Sequence, residues 1–249
     1  MYRFYLPPKN CAGETLRLDG REAHHALKVL RVKYGELVAV LDGAGNEFLC
    51  TVENCSRDAV TLSVSLKNFK PPPPCRITLL VAIPKGKIIE GIIQKSVELG
   101  AHRIVPILSE RVVTQLDGES GEHKRDKWRG VAIEAIKQCG APWLPEIEAP
   151  VTIENFLARK EKFDLSLVAS LQKERRHPQE VLQEFEKADG RLPQSIGVWI
   201  GPEGDFTLDE LKAIQESGAT PVSLGKLVLR VETAAVYCLS VLNYELQRD

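Results

Sequence analysis

Two short segments carry side chains with chemistry to offer. The first is Ile200-Gly201-Pro202-Glu203-Gly204-Asp205-Phe206. Gly201 and Gly204 allow a tight turn and close approach of a ligand to the backbone. Glu203 and Asp205 repel a polyphosphate, and the segment contains neither G-x-G-x-x-G nor G-K-[ST]. A dinucleotide or nucleoside triphosphate therefore fits poorly, and a cationic or zwitterionic ligand fits better. The plain alternative is an ordinary glycine turn. The second segment runs Leu224-Gly225-Lys226-Leu227-Val228-Leu229-Arg230-Val231-Glu232-Thr233-Ala234. Glu232 and Thr233 suit a helix N-terminus, where a carboxylate and a hydroxyl satisfy free N–H groups. On the plain reading they form a cap, with an Arg230–Glu232 ion pair. A second reading, hydrolysis by Glu203, Asp205 and Glu232, draws on the same carboxylates.

These residues need elements to hold them. Four prolines, Pro71–Pro74, form a stiff extended spacer. Before them the pattern is mostly strand: 36–41, then a turn at Asp42-Gly43, then 47–53 and 59–66, with one helix over 21–30. That content predicts a small β-barrel. After the prolines, strands alternate with helices. Strands are expected at 76–83, 103–108, 163–169, 195–200 and 221–224, and helices at 87–99, 124–138, 178–185, 207–216 and 232–246. Thr207 and Glu210 have the spacing of a capping box. Such alternation predicts a mainly parallel sheet, with ligands bound beyond the C-terminal strand ends. The domains expected are thus 1–70 and 75–249.

Composition narrows the class. The chain has 249 residues, with 33 Lys and Arg against 34 Asp and Glu, for a net charge of −1. That balance argues against coating nucleic acid by bulk electrostatics. Residues 1–74, however, hold 10 basic and 8 acidic side chains, whereas 151–249 hold 12 and 16. No apolar run is long enough to span a bilayer, and six scattered cysteines lack any C-x-x-C pair. The expectation is a cytoplasmic protein with reduced thiols, no metal and no membrane association.

The two chemical segments together resemble the C-terminal signature of the RsmE-type 16S rRNA uridine-N3 methyltransferases, in the SPOUT superfamily. Agreement extends in order through Pro84-Lys85-Gly86-Lys87, Ile93–Gly100, Ile104-Val105-Pro106 and Ser109-Glu110-Arg111. It continues through Trp128, Glu134-Ala135, Gln138 and Pro145-Glu146-Ile147. In the N-terminal part, His25–Arg31, Gly35 and Asp42-Gly43 match as well.

The resemblance implies a PUA-like β-barrel that binds RNA, followed by a trefoil-knotted α/β methyltransferase domain. It implies S-adenosylmethionine as methyl donor, a homodimer with its site near the subunit interface, and 16S rRNA of the small ribosomal subunit as partner. By the same resemblance three loops hold the donor. They contain Ala169 and Ser170; Gly201, Pro202, Glu203 and Gly204; and Leu224, Gly225, Leu227 and Leu229, followed by Thr233 and Ala234. The resemblance makes Arg230 and Glu232 the catalytic pair, Arg230 stabilising the negative charge that develops on the uracil and Glu232 acting as base or orienting Arg230. Orientation is favoured because an ion-paired carboxylate is a weakened base. Lys28, Arg31, Lys33, Arg111 and Arg129 become the RNA contacts. Lys124, Arg125 and Lys127, and Lys173, Arg175 and Arg176, form two further basic runs that otherwise read as solvated faces. One departure stands out: where the family commonly carries an arginine, this chain has Ala141, with Arg129 or Arg111 as possible substitutes. The alternative function is an RNA-binding or ribosome-assembly factor that keeps the fold without catalysis.

Overall fold

The computed structural model describes residues 1–111, 120–172 and 174–246, so Lys173 lies outside the described residues. The chain divides into two compact units: Met1–Pro72 with Ile133–Leu144, and Pro73–Ala132 with the chain from Pro145 onward. The first passage between them falls within the four prolines. Residues 133–144, expected in the second domain, pack with the first unit.

The first unit contains β1 (Tyr2–Tyr5), β2 (Thr15–Leu18), α1 (Gly20–His24), β3 (Leu37–Leu41), β4 (Asn46–Cys55) and β5 (Val60–Phe69). Its sheet runs β1-β3-β4-β5-β2, parallel only between β1 and β3. Among the described residues no ladder joins β1 to β2, so the predicted barrel is a curled half-barrel. Alternation along the strands buries Leu16, Leu18, Val38, Val40, Leu62 and their neighbours on one face. The predicted helix over 21–30 is α-helical only to His24 and continues as a π-helical turn, His25–Leu30, ended by Arg31 at φ 56°.

Long-range polar contacts hold 133–144 in this unit. The Lys137 ammonium, its side chain 5% exposed, lies 2.9 Å from Glu22 and 3.2 Å from Glu134. A buried ammonium without a carboxylate would be strongly destabilising. Arg3 donates to the carbonyls of Lys137 (3.5 Å) and Gln138 (3.3 Å), and the Trp143 indole donates to the Lys70 carbonyl at 3.0 Å. A Cβ at Gly140 would meet the same guanidinium at 3.0 Å, so Arg3 packs against the chain just before Ala141.

The second unit follows the predicted alternation: β6 (Arg76–Ala82), α2 (Ile88–Glu98), β7 (Arg103–Leu108) and α3 (Gly121–Cys139), whose last turns belong to the first unit. Then come β8 (Glu146–Ile147), β9 (Val151–Thr152), α4 (Ile153–Leu157), β10 (Leu165–Ala169) and α5 (Pro178–Asp189). The chain continues with β11 (Ser195–Ile200), α6 (Leu208–Glu216), β12 (Thr220–Val222) and α7 (Val231–Leu246). The sheet order is β12-β10-β11-β6-β7-β8, with β9 also on β7, and every pairing is parallel. Leu80, Val105, Val168 and Trp199 form the centre of a core closed by Phe156 and Ile214. The Phe156 and Trp199 rings meet edge to face at 5.3 Å. Helix α2 packs against α7.

Candidate active site

Parallel neighbours end on the same edge of a sheet. With β10 between β12 and β11, the loops that follow these three strands lie side by side. They border an open cleft. Ala169 and Ser170 line it after β10, and Gly201, Pro202 and Glu203 after β11. Leu224, Gly225, Leu227 and Leu229 line it after β12, with Ala234 from the first turn of α7. Ten of the twelve residues expected around the donor thus share one cavity. Gly204 and Thr233 are not in its walls. Leu171, Arg175 and Asp205 are, and the sequence reading did not place them there.

The loop after β11 owes its shape to Asp205 more than to its glycines. Asp205 sits at φ 62°, whereas neither Gly201 nor Gly204 has positive φ. Short polar side chains tolerate this left-handed region better than most. The Asp205 carboxylate accepts from Phe206 N (2.9 Å) and from Leu171 N (3.2 Å), which joins the loop after β10 to the loop after β11. Gly201 serves close packing: a Cβ there would lie 3.2 Å from Phe206 N and 3.3 Å from Asp205 Oδ1.

Arg111, one of the residues expected on RNA, donates from Nη1 to the carbonyl of Gly204 and, at 3.4 Å, to that of Asp205. Glu210 fixes the approach. It is 5% exposed, completes the predicted capping box with Thr207, and accepts from Ser109 Oγ (3.1 Å) and Glu110 N (2.8 Å). The segment after β10 runs back along β12 through Ser170 N to Val222 O (3.1 Å) and Ser223 N to Arg176 O (2.8 Å).

Arg230 is exposed and directly follows the last cleft-lining residue of its loop. Its carbonyl accepts from Ala234 N at 2.8 Å, which starts α7. No ion pair joins it to Glu232 among the described residues, so the expected orienting contact is not made. Glu232 and Thr233 face α2 instead, in a shallow groove shared with Lys87, Ile88, Gln94 and Lys95. The three carboxylates of the hydrolase reading are thus not gathered around one point. Among the described residues no group of His, Cys, Asp or Glu could hold a metal ion.

Lys28, Arg31 and Lys33 are exposed on the first unit, around its π-helical turn. Tyr34 beside them is 81% exposed. Sequence reasoning passed it over, although an aromatic interleaved with cations is a signal for base stacking. Arg129 is exposed on the part of α3 in the second unit. Its neighbours are largely neutralised, Arg125 by Glu122 and Asp126 and Lys127 by Glu90. All six cysteines are free, and burial pushes Cys75 and Cys238 up to about 12.

Residues 71–243 match the family described as an RNA methyltransferase domain, and residues 18–65 the RNA methyltransferase PUA domain. Ribosomal RNA small subunit methyltransferase E of Bacillus subtilis is 31% identical over 93% of this chain and 90% of its own length. The protein of that name from Synechocystis is 32% identical over 97% of this chain and 77% of its own. A Legionella pneumophila protein solved with bound SAM superposes with TM-score 0.87 at 32% identity, covering 98% of this chain and 97% of that one. The Neisseria gonorrhoeae ribosomal RNA small subunit methyltransferase E, solved with S-adenosyl methionine, gives TM-score 0.86 at 26% identity, with 98% of each chain covered. The chain belongs to the RNA methyltransferase family, with a SPOUT-type α/β unit behind a PUA-like half-barrel, and its relatives of nearly full length carry the name ribosomal RNA small subunit methyltransferase E.

Proposed function

We propose that this protein transfers a methyl group from S-adenosylmethionine to N3 of a uridine in 16S rRNA of the small ribosomal subunit, acting as a cytoplasmic homodimer. The observation that carries the reading is the three-loop cleft. The two segments singled out for chemistry form its walls with the loop after β10, and two relatives that superpose over nearly their whole length were solved with this donor. The cleft suits such a ligand. Ile200, Leu224, Leu227 and Leu229 offer apolar walls for a purine, loop backbone offers hydrogen bonds, and Glu203 offers a carboxylate to a cation. Leu227 is 79% exposed and Val228 71%, apolar surface that a ligand or a second subunit would cover.

When bound, the donor supplies a methyl group made electrophilic by its sulfonium. The protein must do the rest. Uridine N3 carries an imide proton and becomes nucleophilic only as that proton leaves. Arg230, next to the cleft wall and without an ion pair among the described residues, stabilises the negative charge that develops on the uracil. Glu232, which has no ion pair among the described residues, is the candidate for the base that takes this proton. Lys28, Arg31 and Lys33 contact phosphates and set the register of the RNA. Because N3 lies on the Watson–Crick edge, the target base is read unpaired or extruded.

The test incubates labelled S-adenosylmethionine with small subunits lacking native methylation and maps the product. Label is expected on N3 of one uridine. Label on cytidine or a ribose hydroxyl refutes the assignment, and absence of any donor binding by calorimetry leaves the assembly-factor reading.

A further inference from the structure

The cleft wall carries three ionisable side chains: Glu203, Asp205 and Arg175. Asp205 is committed to the two backbone N–H groups described above. Arg175 is different. It is half-buried, and it is the one cation in the lining among the described residues. One guanidinium nitrogen, Nη1, donates to the Ser170 carbonyl at 3.1 Å, which anchors the group to the cleft wall. A guanidinium has five N–H donors, and the others have no partner among the described residues. The adjacent Arg176 shows what an ordinary fate looks like here: both of its terminal nitrogens bind the Glu184 carboxylate. Arg175 thus holds a planar, half-buried guanidinium fork in the cleft wall, with only one of its bonds committed to the protein among the described residues.

Such a fork matches a carboxylate, which can accept two parallel hydrogen bonds from it. The charges of the cleft and of the proposed donor are also complementary. Two carboxylates and one guanidinium line the cavity, whereas the donor carries two cationic centres, sulfonium and ammonium, and one carboxylate. We propose that Arg175 is the receptor for the donor's α-carboxylate and so selects a donor with an intact amino-acid end. This rests on the donor assignment made above. An RNA phosphate would satisfy the same donors, but the bond to Ser170 holds the group on the wall of the small-molecule cavity, which favours the carboxylate.

The experiment measures calorimetric affinities of the wild-type protein, Arg175→Ala and Arg175→Lys for S-adenosylmethionine and for its decarboxylated analogue. Wild type is expected to prefer the carboxylated ligand by about tenfold, as a charge-assisted pair in a partly open site allows. Arg175→Ala should lose that preference, binding the decarboxylated ligand as wild type does. Arg175→Lys keeps the charge without the fork and should recover part of it. The wild-type comparison needs no variant, so it stands even if a substitution harms folding. Equal affinity of wild type for both ligands overturns the proposal, as does equal loss of both in Arg175→Ala, which would make Arg175 a brace for the Ser170 loop. A loss confined to binding of an rRNA fragment overturns it in favour of a phosphate contact. If wild type binds neither ligand, the donor assignment itself fails and this inference fails with it.

Discussion

At the scale of single residues, the site is built from side chains whose hydrogen bonds are spent and a few whose bonds are not. Asp205 and Glu210 carry two or more backbone bonds each and hold loops in place. Arg230 follows the loop that lines the cleft and has no ion pair among the described residues. Replacing Arg230 by alanine should therefore reduce turnover at least a hundredfold, the scale of losing one preorganised charge stabiliser, while donor affinity changes less than threefold. Single-turnover rates and calorimetry on the same preparation separate the two. Equal loss of both would make Arg230 a binding residue. The sequence made Arg230 legible because its spacing to Glu232 and Thr233 is local. It misled about their contact, because a pair two residues apart at a helix start points in directions that only the placement of α7 against α2 decides. Asp205 was underrated for a related reason: its role depends on Leu171, 34 residues away.

Among elements, legibility followed length and periodicity. The strands β7 and β11 fall where their apolar runs place them, and the Thr207–Glu210 box is present as spacing predicts. By contrast, β1 and β2 have four residues each, and β8 and β9 two each, too short for periodicity to register. The second task of Glu210, bonding to 109 and 110, was invisible because it spans about a hundred residues. Glu210→Ala should therefore cost more than a lost cap. It leaves a buried Ser109 hydroxyl and the Glu110 amide without an acceptor, worth about 2 kcal/mol, and should lower the melting temperature by roughly 4–8 °C. A calorimetric scan that shows no shift would mean that water replaces the carboxylate. The entries to β10 and β11 have their own clamp. Asp164 accepts from Arg191 at 3.0 and 3.2 Å and from Gln194 N at 2.7 Å, and Arg191 chiefly holds its carboxyl down to about 2. A carboxyl depressed by folding stabilises the native state above its ordinary value near 4, and that contribution is lost as pH falls from about 4 toward 2. Asp164→Asn should flatten the stability profile in that window and leave the profile above pH 5 parallel to wild type, as denaturant midpoints read at each pH would show.

For the whole molecule, a net charge of −1 is a poor guide to partners. The exposed Lys28, Arg31 and Lys33 sit in the mildly basic N-terminal part, and the acidic excess lies elsewhere. The exposed apolar surface of the second unit is a better guide. Leu227, Val228, Tyr237 and Tyr244 are 79%, 71%, 44% and 82% exposed, on the last cleft loop and on α7. Sedimentation velocity should give a dimer at micromolar concentration, and Tyr237→Arg should shift it toward monomer. A wild-type monomer at all accessible concentrations would remove the homodimer from the proposed function.

The passage of residues 133–144 into the first unit also sets an order of events at birth. An N-terminal domain made of one continuous stretch can fold as soon as it leaves the ribosome. Here Glu22 waits for Lys137, and Lys70 for Trp143, across the sixty residues 73–132 that build the other unit. The half-barrel is thus not an independent cassette. Transplanted with a single breakpoint at the prolines, it would arrive without the lysine that neutralises Glu22 and without the indole that bonds to the Lys70 carbonyl.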